Sequence, residues 1–131
     1  MKYYISKKVN SGFEDTIAEV KEALVNEGFG VLTEIPIHEK LKEKLNVDFR
    51  KYVILGACNP GFAYEALKEE DKIGTMLPCN VVVQECNDMI EISAVDPVAS
   101  MMAVNNSALV PIANHIRDLL RKVLDNINNS I

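Results

Sequence analysis

The apolar residues of this chain fall into two long stripes of helical spacing, separated by short runs that have the spacing of β-strands. The first stripe recurs every three or four positions and predicts one buried face of a helix: Phe13, Ile17, Val20 and Leu24. Ser11 and Glu14 have the spacing of a capping box, which predicts that the helix begins there. Gly28 predicts its end.

A second and longer stripe lies near the C-terminal end of the sequence. It predicts a helix from Leu109 to about Asn128, because its apolar positions again share one face: Leu109, Ile112, Ile116, Leu119, Leu120, Val123 and Ile127. His115 falls on the border of this face and is interpreted as a helix-flank residue without a chemical role.

Between the two stripes and before the first, the pattern predicts five short strands: residues 2–9, 30–37, 52–57, 81–86 and 89–95. Pro36 near the end of the second strand favours an edge position, since proline cannot donate to a ladder. The third strand is apolar at both alternating positions, which predicts an interior strand covered on both faces. Asn87-Asp88 predicts a tight turn between the last two strands. Short helices are expected at residues 38–45 and 61–69, and a loop at 73–77.

This order of elements predicts a single α+β domain over residues 1–131. Its mostly antiparallel sheet of about five strands carries two long helices on one face, in the order strand, helix, four strands, helix. The other face is expected to be polar at its edges, from Glu34, Glu91 and Ser93, and apolar at its centre. Because two helices cannot cover both faces, we expect a homodimer.

Composition narrows the classes of partner. The chain has 131 residues, 48% of them hydrophobic and 25% charged, which is typical of globular domains. A net charge of -5 argues against nucleic-acid binding, since a phosphate-backbone binder needs clustered lysine and arginine. The sequence contains no apolar run near the roughly 18 residues of a membrane span. The N-terminal residues lack a signal peptide's apolar segment. Three cysteines without a regular framework fit a reducing compartment, so a cytoplasmic location is expected.

Two similar motifs, Cys58-Asn59 and Cys79-Asn80, suggest a site. Each joins a cysteine and an asparagine to an apolar strand, beside Pro60 in the first case and Pro78 in the second. If these strands are antiparallel neighbours, Cys58 and Cys79 lie at the same end of the sheet. The next strand then returns Asp96 to that end.

The same spacing argument places two other residues away from this end. Cys86 lies about 23 Å from Cys79 along an extended strand. His38 is expected at the opposite sheet end as well, as a surface residue.

Two interpretations of these motifs remain open. In the first, Cys58, Asn59, Cys79, Asn80 and Asp96 line a small-molecule pocket, which the apolar 76–77 loop roofs. In the second, the asparagines are turn and cap residues, and the cysteines are small apolar core residues. Turn formation alone does not require thiols, which supports the first interpretation.

The motifs resemble the signature of an uncharacterised family, domain of unknown function 302. The resemblance covers nearly the whole chain and rests on these segments: 28–31, 56–60, Ala63, 66–67, 73–74, 77–83 and 93–97. It implies a fold of the TATA-binding-protein-like type with the element order given above. It implies no established activity, and a shared fold does not transfer DNA binding.

Several enzyme classes fit the sequence poorly. A cysteine hydrolase needs a histidine near its thiol, whereas His38 and His115 are both predicted far from Cys58 and Cys79. Zinc sites use closely spaced Cys or His pairs, which the sequence lacks, so no metal or other cofactor is predicted. Gly28-Phe29-Gly30 follows a helix instead of opening one, which excludes a phosphate-binding loop.

Two classes of function remain, and a binding protein is preferred to an enzyme. The first is a homodimeric small-molecule-binding module. The second is a thiol-based redox or copper-handling protein that uses Cys58 and Cys79, because thiolates select soft metals. The first is preferred, since no basic residue nearby in sequence would stabilise a thiolate.

Overall fold

A computed structural model describes residues 2–127 and has the predicted order of elements. The five strands are β1 (Tyr4–Val9), β2 (Gly30–Pro36), β3 (Tyr52–Cys58), β4 (Cys79–Cys86) and β5 (Met89–Val95). The helices are α1 (Phe13–Asn26), α2 (Ile37–Leu45), α3 (Pro60–Glu69), α4 (Pro97–Ser100) and α5 (Leu109–Asp125), with 3₁₀ turns at Asp71–Met76 and Met102–Val104. The long final helix thus ends before the predicted Asn128, which lies outside the described residues.

The strands form one antiparallel sheet in the order β1-β5-β4-β3-β2. The predicted α+β class is confirmed, and β2 with its Pro36 is an edge strand, as the sequence indicated. Helices α1 and α5 bury their apolar stripes against one sheet face, where the core side chains include Val20, Leu24, Leu55, Val81, Ile92 and Leu120. Among residues 2–127, no helix is long and apolar enough to cross a membrane.

The sequence predicted the C-terminal end of α1 correctly but not its N-terminal cap. The predicted capping box is wrong: the helix begins at Phe13, Gly12 occupies the N-cap, and no side chain caps it. Ser11 Oγ instead lies 2.9 Å from the Thr16 hydroxyl, which donates to Gly12 O.

The C-terminal end of α1 is a Schellman motif. Gly28 has φ +88°, its N–H donates to Val25 O, and the Phe29 N–H donates to Leu24 O. A glycine suits this position because it has no Cβ to resist a positive φ. The motif thereby directs Phe29 into the core, where it is buried.

Strand β2 contains a bulge between Val31 and Thr33, which the sequence did not reveal. Regular alternation predicts that Val31 and Thr33 share a face. In the structure Val31 pairs with buried Ala57, while Glu34 pairs with buried Leu55, so both lie on the helical face.

The bulge changes the surroundings of Glu34. Its carboxylate lies 2.5 Å from Lys21 Nζ of α1. The expectation that Glu34 makes the opposite face polar is therefore wrong.

The sheet face turned away from α1 and α5 is only partly covered. Ile54 and Val82 at its centre are half-buried, and Ile35 is exposed. Side chains of this face line a depression of about 380 Å³, with Tyr4 and Tyr52 on two sides of it.

Candidate functional site

Strand pairing brings Cys58 and Cys79 to one end of the sheet, as predicted. Strands β3 and β4 are antiparallel, and Ala57 pairs with Cys79, so the next residue, Cys58, lies beside it. Both cysteines have free thiols; Cys79 is buried and Cys58 half-buried.

The opposite end of the sheet holds the other two residues considered above. Cys86 ends β4 opposite Met89. His38 Nδ1 lies 3.0 Å from the backbone nitrogen of Tyr52, which begins β3. The predicted separation of Cys86 and His38 from the thiol pair is therefore confirmed.

Cys58 and Cys79 line the same cavity, called here the corner cavity, with a volume of about 30 Å³. Its other walls are mainly apolar and come from β3, α3, α5 and the loops that join them: Phe29, Ala57, Asn59, Phe62, Ala63, Ala66, Leu77, Pro78, Met101, Ile112 and Ile116. Leu77 and Pro78 thus form part of the wall that the sequence assigned to the 76–77 loop, whereas Met76 is exposed. A volume of this size holds one or two water molecules.

Asn59 contributes the one side-chain amide of the corner cavity. It occupies the N-cap of α3, but its side chain makes no capping hydrogen bond. The side chain packs against the end of α1 instead, because a Cβ added at Gly28 would lie 3.2 Å from Asn59 Nδ2. The interpretation of Asn59 as a helix cap is therefore not supported, and its amide is left for another partner.

Asn80 and Asp96 share the sheet end but not the corner cavity. Asn80 follows Cys79 within β4, and alternation turns its exposed side chain to the opposite face, where it lines the depression. Asp96 is buried and its carboxylate accepts a hydrogen bond from the Val98 N–H, which caps α4. The structure therefore groups three of the five candidates and separates these two.

Burial and the neighbouring Cys58 raise the pKa of the Cys79 thiol from 9.0 to about 11. Burial is the larger cause, since an apolar environment disfavours the thiolate. Cys79 is therefore protonated at neutral pH.

Met101 is the site residue that sequence reasoning missed. It follows α4 and lines both the corner cavity and a second, wider cleft of about 340 Å³ between residues 98–107 and α5. Met102, 65% exposed, also lines this cleft. The Met101-Met102 pair is visible in the sequence, but only tertiary packing shows that Met101 lines the same cavity as Cys58 and Cys79.

His115 lies closer to the site than the sequence indicated. Its ring stacks on Phe62, a wall residue of the corner cavity, with the centroids 4.5 Å apart. His115 itself is not among the residues that line the cavity. Within residues 2–127, no three His, Cys, Asp or Glu side chains cluster in a way that could hold a metal ion.

The comparisons with known proteins agree with one another. The model of a family described as "Domain of unknown function DUF302" matches residues 5–127. A crystal structure of an uncharacterized conserved DUF302 protein from Bacillus stearothermophilus is similar, with a TM-score of 0.92 and 36% identity over 98% of this chain and 100% of that one. No curated protein matches the chain. The implied likeness to the TATA-binding protein stays a prediction.

Proposed function

This chain belongs to the DUF302 family, whose name assigns no activity, and from its corner cavity we propose that it is a homodimeric small-molecule-binding module. We also propose a cytoplasmic location, which its three free cysteines support.

The observation that carries the binding proposal is the position of Met101 between two cavities. The corner cavity alone is too small for a metabolite, but the cleft of about 340 Å³ on the other side of Met101 falls within the range of ligand sites. Methionine is unbranched and adaptable, so a change of its rotamer would join the two spaces. A ligand then lies in the cleft and inserts one end toward Cys58, Cys79 and Asn59.

The lining defines the class of ligand. The inner walls are apolar apart from the thiols and the Asn59 amide, which offers one donor group and one acceptor. No charged side chain lines either space. The cleft adds the polar residues Asn105, Asn106 and Ser107, so the expected ligand is small and uncharged, with an aliphatic inner part and hydrogen-bonding groups at Asn59 and in the cleft.

A thermal-shift screen with uncharged aliphatic amides and alcohols tests this proposal. Compounds that stabilise the wild-type protein should lose that effect in Asn59→Ala, since the variant removes the amide from the inner end of the site. Asn80→Ala is the matched control, because it deletes the same group from the opposite sheet face. Equal losses in both variants, or no stabilising compound, would contradict the proposal.

The proposal of a homodimer rests on the sheet face that points away from α1 and α5. Ile54 and Val82 leave an apolar centre on this face, and Ile35 is 39% exposed beside it. Apolar patches on soluble proteins commonly mark interaction surfaces. A second copy of the same face would cover this centre.

Sedimentation of Val82→Lys tests the dimer. A buried lysine at the centre of the interface would leave a charge unpaired, so this variant should sediment as a monomer at micromolar concentration while the wild type sediments as a dimer. Val25→Lys is the control, because Val25 lies on α1 and is 63% exposed. A monomeric wild type would reject the dimer.

A second candidate function is a thiol-based one, and the shared cavity of Cys58 and Cys79 favours it. Its two forms are not equally supported. Thiol–disulfide exchange requires a thiolate near neutral pH, and the raised pKa of Cys79 opposes this. Soft-metal binding needs only that the incoming metal displaces the thiol protons.

A further inference from the structure

The depression on the open sheet face has the size of an organic ligand site. Its volume is about 380 Å³, and sites for small molecules begin near 300 Å³. Its lining residues lie on or next to β1, β3, β4 and β5. Among the described residues, it shares none with the corner cavity or with the cleft beside Met101, so it is a separate space.

Aromatic side chains are concentrated at this depression. The sequence has no tryptophan and four tyrosines, and three of these line the depression: Tyr3, Tyr4 and Tyr52. The rings of Tyr3 and Tyr4 meet edge to face, with centroids 5.0 Å apart. Exposed aromatic rings on a sheet face provide stacking surfaces for a flat ring. The walls therefore favour a planar aromatic ligand.

The floor of the depression offers hydrogen-bonding groups that the protein itself leaves unused. Asn80 and Ser93 line it, and neither side chain hydrogen-bonds to another described residue. Within residues 2–127, the Glu91 carboxylate forms no salt bridge and accepts one hydrogen bond, from Gln84 Nε2 at 3.3 Å. A carboxylate has about four acceptor positions, so most of those on Glu91 are open to a donor from a ligand.

The charges in and around the depression favour a neutral ligand. Glu91 is the one charged side chain among the described residues that line it, and it repels an anion. Two exposed cations lie over the tyrosine rings: Lys2 Nζ is 5.9 Å from the Tyr4 centroid, and Arg50 Cζ is 5.7 Å from that of Tyr52. They repel a cation. An amino group on a neutral ring still presents a positively polarised N–H to Glu91.

We propose that the depression binds a neutral, amino-substituted nitrogen heterocycle of the aminopyrimidine class. Tyr4 and Tyr52 pack against the flat ring. Glu91 accepts a hydrogen bond from the amino group, and Asn80 with Ser93 donates to the ring nitrogens. Such a ring carries donors and acceptors side by side on one edge, which matches a carboxylate beside an amide. This second site goes beyond the ligand proposed for the corner cavity, whose inner part is aliphatic.

The site is formed by one chain and does not depend on the proposed dimer, although both use the open sheet face. Ile35 and Ile54 of the dimer contact lie on β2 and β3, whereas Tyr4 and Glu91 lie on β1 and β5. Val82 borders both regions and is therefore left unchanged in the experiment. Variants at Glu91 should sediment like the wild type, so a loss of ligand binding in them does not come from a change of assembly.

Nuclear magnetic resonance of isotope-labelled tyrosine rings tests the site directly. Titration with 2-aminopyrimidine should shift the signals of Tyr4 and Tyr52 in a saturable way, because a stacked ring changes their magnetic shielding. Tyr64 is the internal reference, since it lies on α3, is 63% exposed and should not shift. Pyrimidine is the matched compound without the amino group, and it should bind about 10–100-fold more weakly because its bond to Glu91 is lost.

The variants separate the polar contacts from general effects of charge. Glu91→Gln should weaken binding of 2-aminopyrimidine about 10–100-fold, and Asn80→Ala about 2–10-fold. Asn80 is exposed, so its variant keeps the test informative if Glu91→Gln fails to fold. Glu85→Gln is the matched control and should bind like wild type. It removes an equal charge from β4, but Glu85 pairs with buried Ile90 and so lies on the helical face.

Several results would overturn this proposal. They are an absence of shifts at Tyr4 and Tyr52 at millimolar 2-aminopyrimidine, equal shifts at Tyr64, equal affinity for pyrimidine, and equal losses in Glu91→Gln and Glu85→Gln. Tighter binding of an oligocytidylate than of cytidine would also overturn it, since the ligand would then be a nucleic acid.

A cross-test distinguishes the two ligand proposals. Asn59→Ala should bind 2-aminopyrimidine like wild type, because Asn59 lines the corner cavity and not the depression. Glu91→Gln should still be stabilised by the aliphatic compounds of the thermal-shift screen. Each site is therefore accepted or rejected on its own variant.

Discussion

The two Cys-Asn motifs of this protein have the same dipeptide and opposite arrangements. At the end of β3, Cys58 and Asn59 both line the corner cavity. At the start of β4, Cys79 lines the cavity while Asn80 is exposed on the other sheet face.

The difference comes from what the backbone does after each cysteine. Asn59 leaves the sheet and occupies the N-cap of α3, so strand alternation no longer fixes the face to which its side chain turns. Asn80 continues β4 and pairs with Gly56, so alternation places it opposite Cys79. The same dipeptide therefore brings its asparagine to the corner cavity only where the strand ends.

The largest expected effect is a change in stability with pH that arises from the buried Cys79 of the second motif. Its pKa of about 11 exceeds the ordinary 9.0, so the folded state holds this proton more tightly than the unfolded state. The resulting stability is complete below pH 9.0 and is lost as pH rises to about 11, a decrease of up to about 3 kcal/mol. Denaturant unfolding over this range should show the decrease in wild type and in Cys86→Ala. Cys79→Ala should lack it; an equal decrease there would contradict the assignment.

The next effect is a loss of stability on substitution of Gly56, which pairs with Asn80 of the second motif. A Cβ at Gly56 would collide with the Thr33 hydroxyl and lie 2.8 Å from Pro78 Cγ. Gly56→Ala should therefore lower the free energy of unfolding by about 1–3 kcal/mol. Gly74→Ala is the control, since a Cβ there meets nothing within 4 Å. Similar melting temperatures for the two variants would contradict this prediction, because they would show that Thr33 and Pro78 can move aside without loss of stability.

Asp96 provides an intermediate effect, because it forms the capping bond that neither asparagine forms in this structure. Removing its carboxylate in Asp96→Ala leaves the Val98 N–H without this acceptor and should cost about 0.5–2 kcal/mol. Asp96→Asn should retain most of the stability, since asparagine also caps helices. Chemical denaturation measures both, and an equal loss in the two variants would indicate that the charge matters instead.

The smallest effect is expected for the two asparagines themselves. Asn59 makes no capping hydrogen bond and Asn80 is exposed, so alanine at either position should change stability by less than about 0.5 kcal/mol. A loss above about 1 kcal/mol in Asn59→Ala would restore the interpretation of this residue as a structural cap. The comparison with Asp96→Ala under the same conditions calibrates the measurement.

Much of the fold follows from the spacing of apolar residues and from the positions of single glycine and proline residues. The stripes that include Val20 and Leu120 predicted α1 and α5, because only burial on one side explains apolar residues at helical spacing. Gly28 and Pro36 marked a helix end and an edge strand through their backbone chemistry alone. The meeting of Cys58 and Cys79 needed only the assumption of antiparallel pairing.

The remaining features depend on geometry that no local pattern encodes. The bulge after Val31 inserts one residue without a distinctive signal, and it reverses the face of Glu34. The strand that contains Asn80 begins two residues earlier than predicted, which moved this side chain from a turn to the open face. Met101 reaches the corner cavity through the packing of α4 against α5, two elements whose apolar patterns are separate in the sequence.

The bulge in β2 also bears on how this protein avoids aggregation. An exposed edge strand offers unpaired backbone groups that can extend the sheet into another molecule. Here the edge is interrupted between Val31 and Thr33, ends in Pro36, and carries the charged pair of Glu34 with Lys21. A neighbouring chain therefore finds no regular ladder to continue along β2, which disfavours fibre-like growth from this edge.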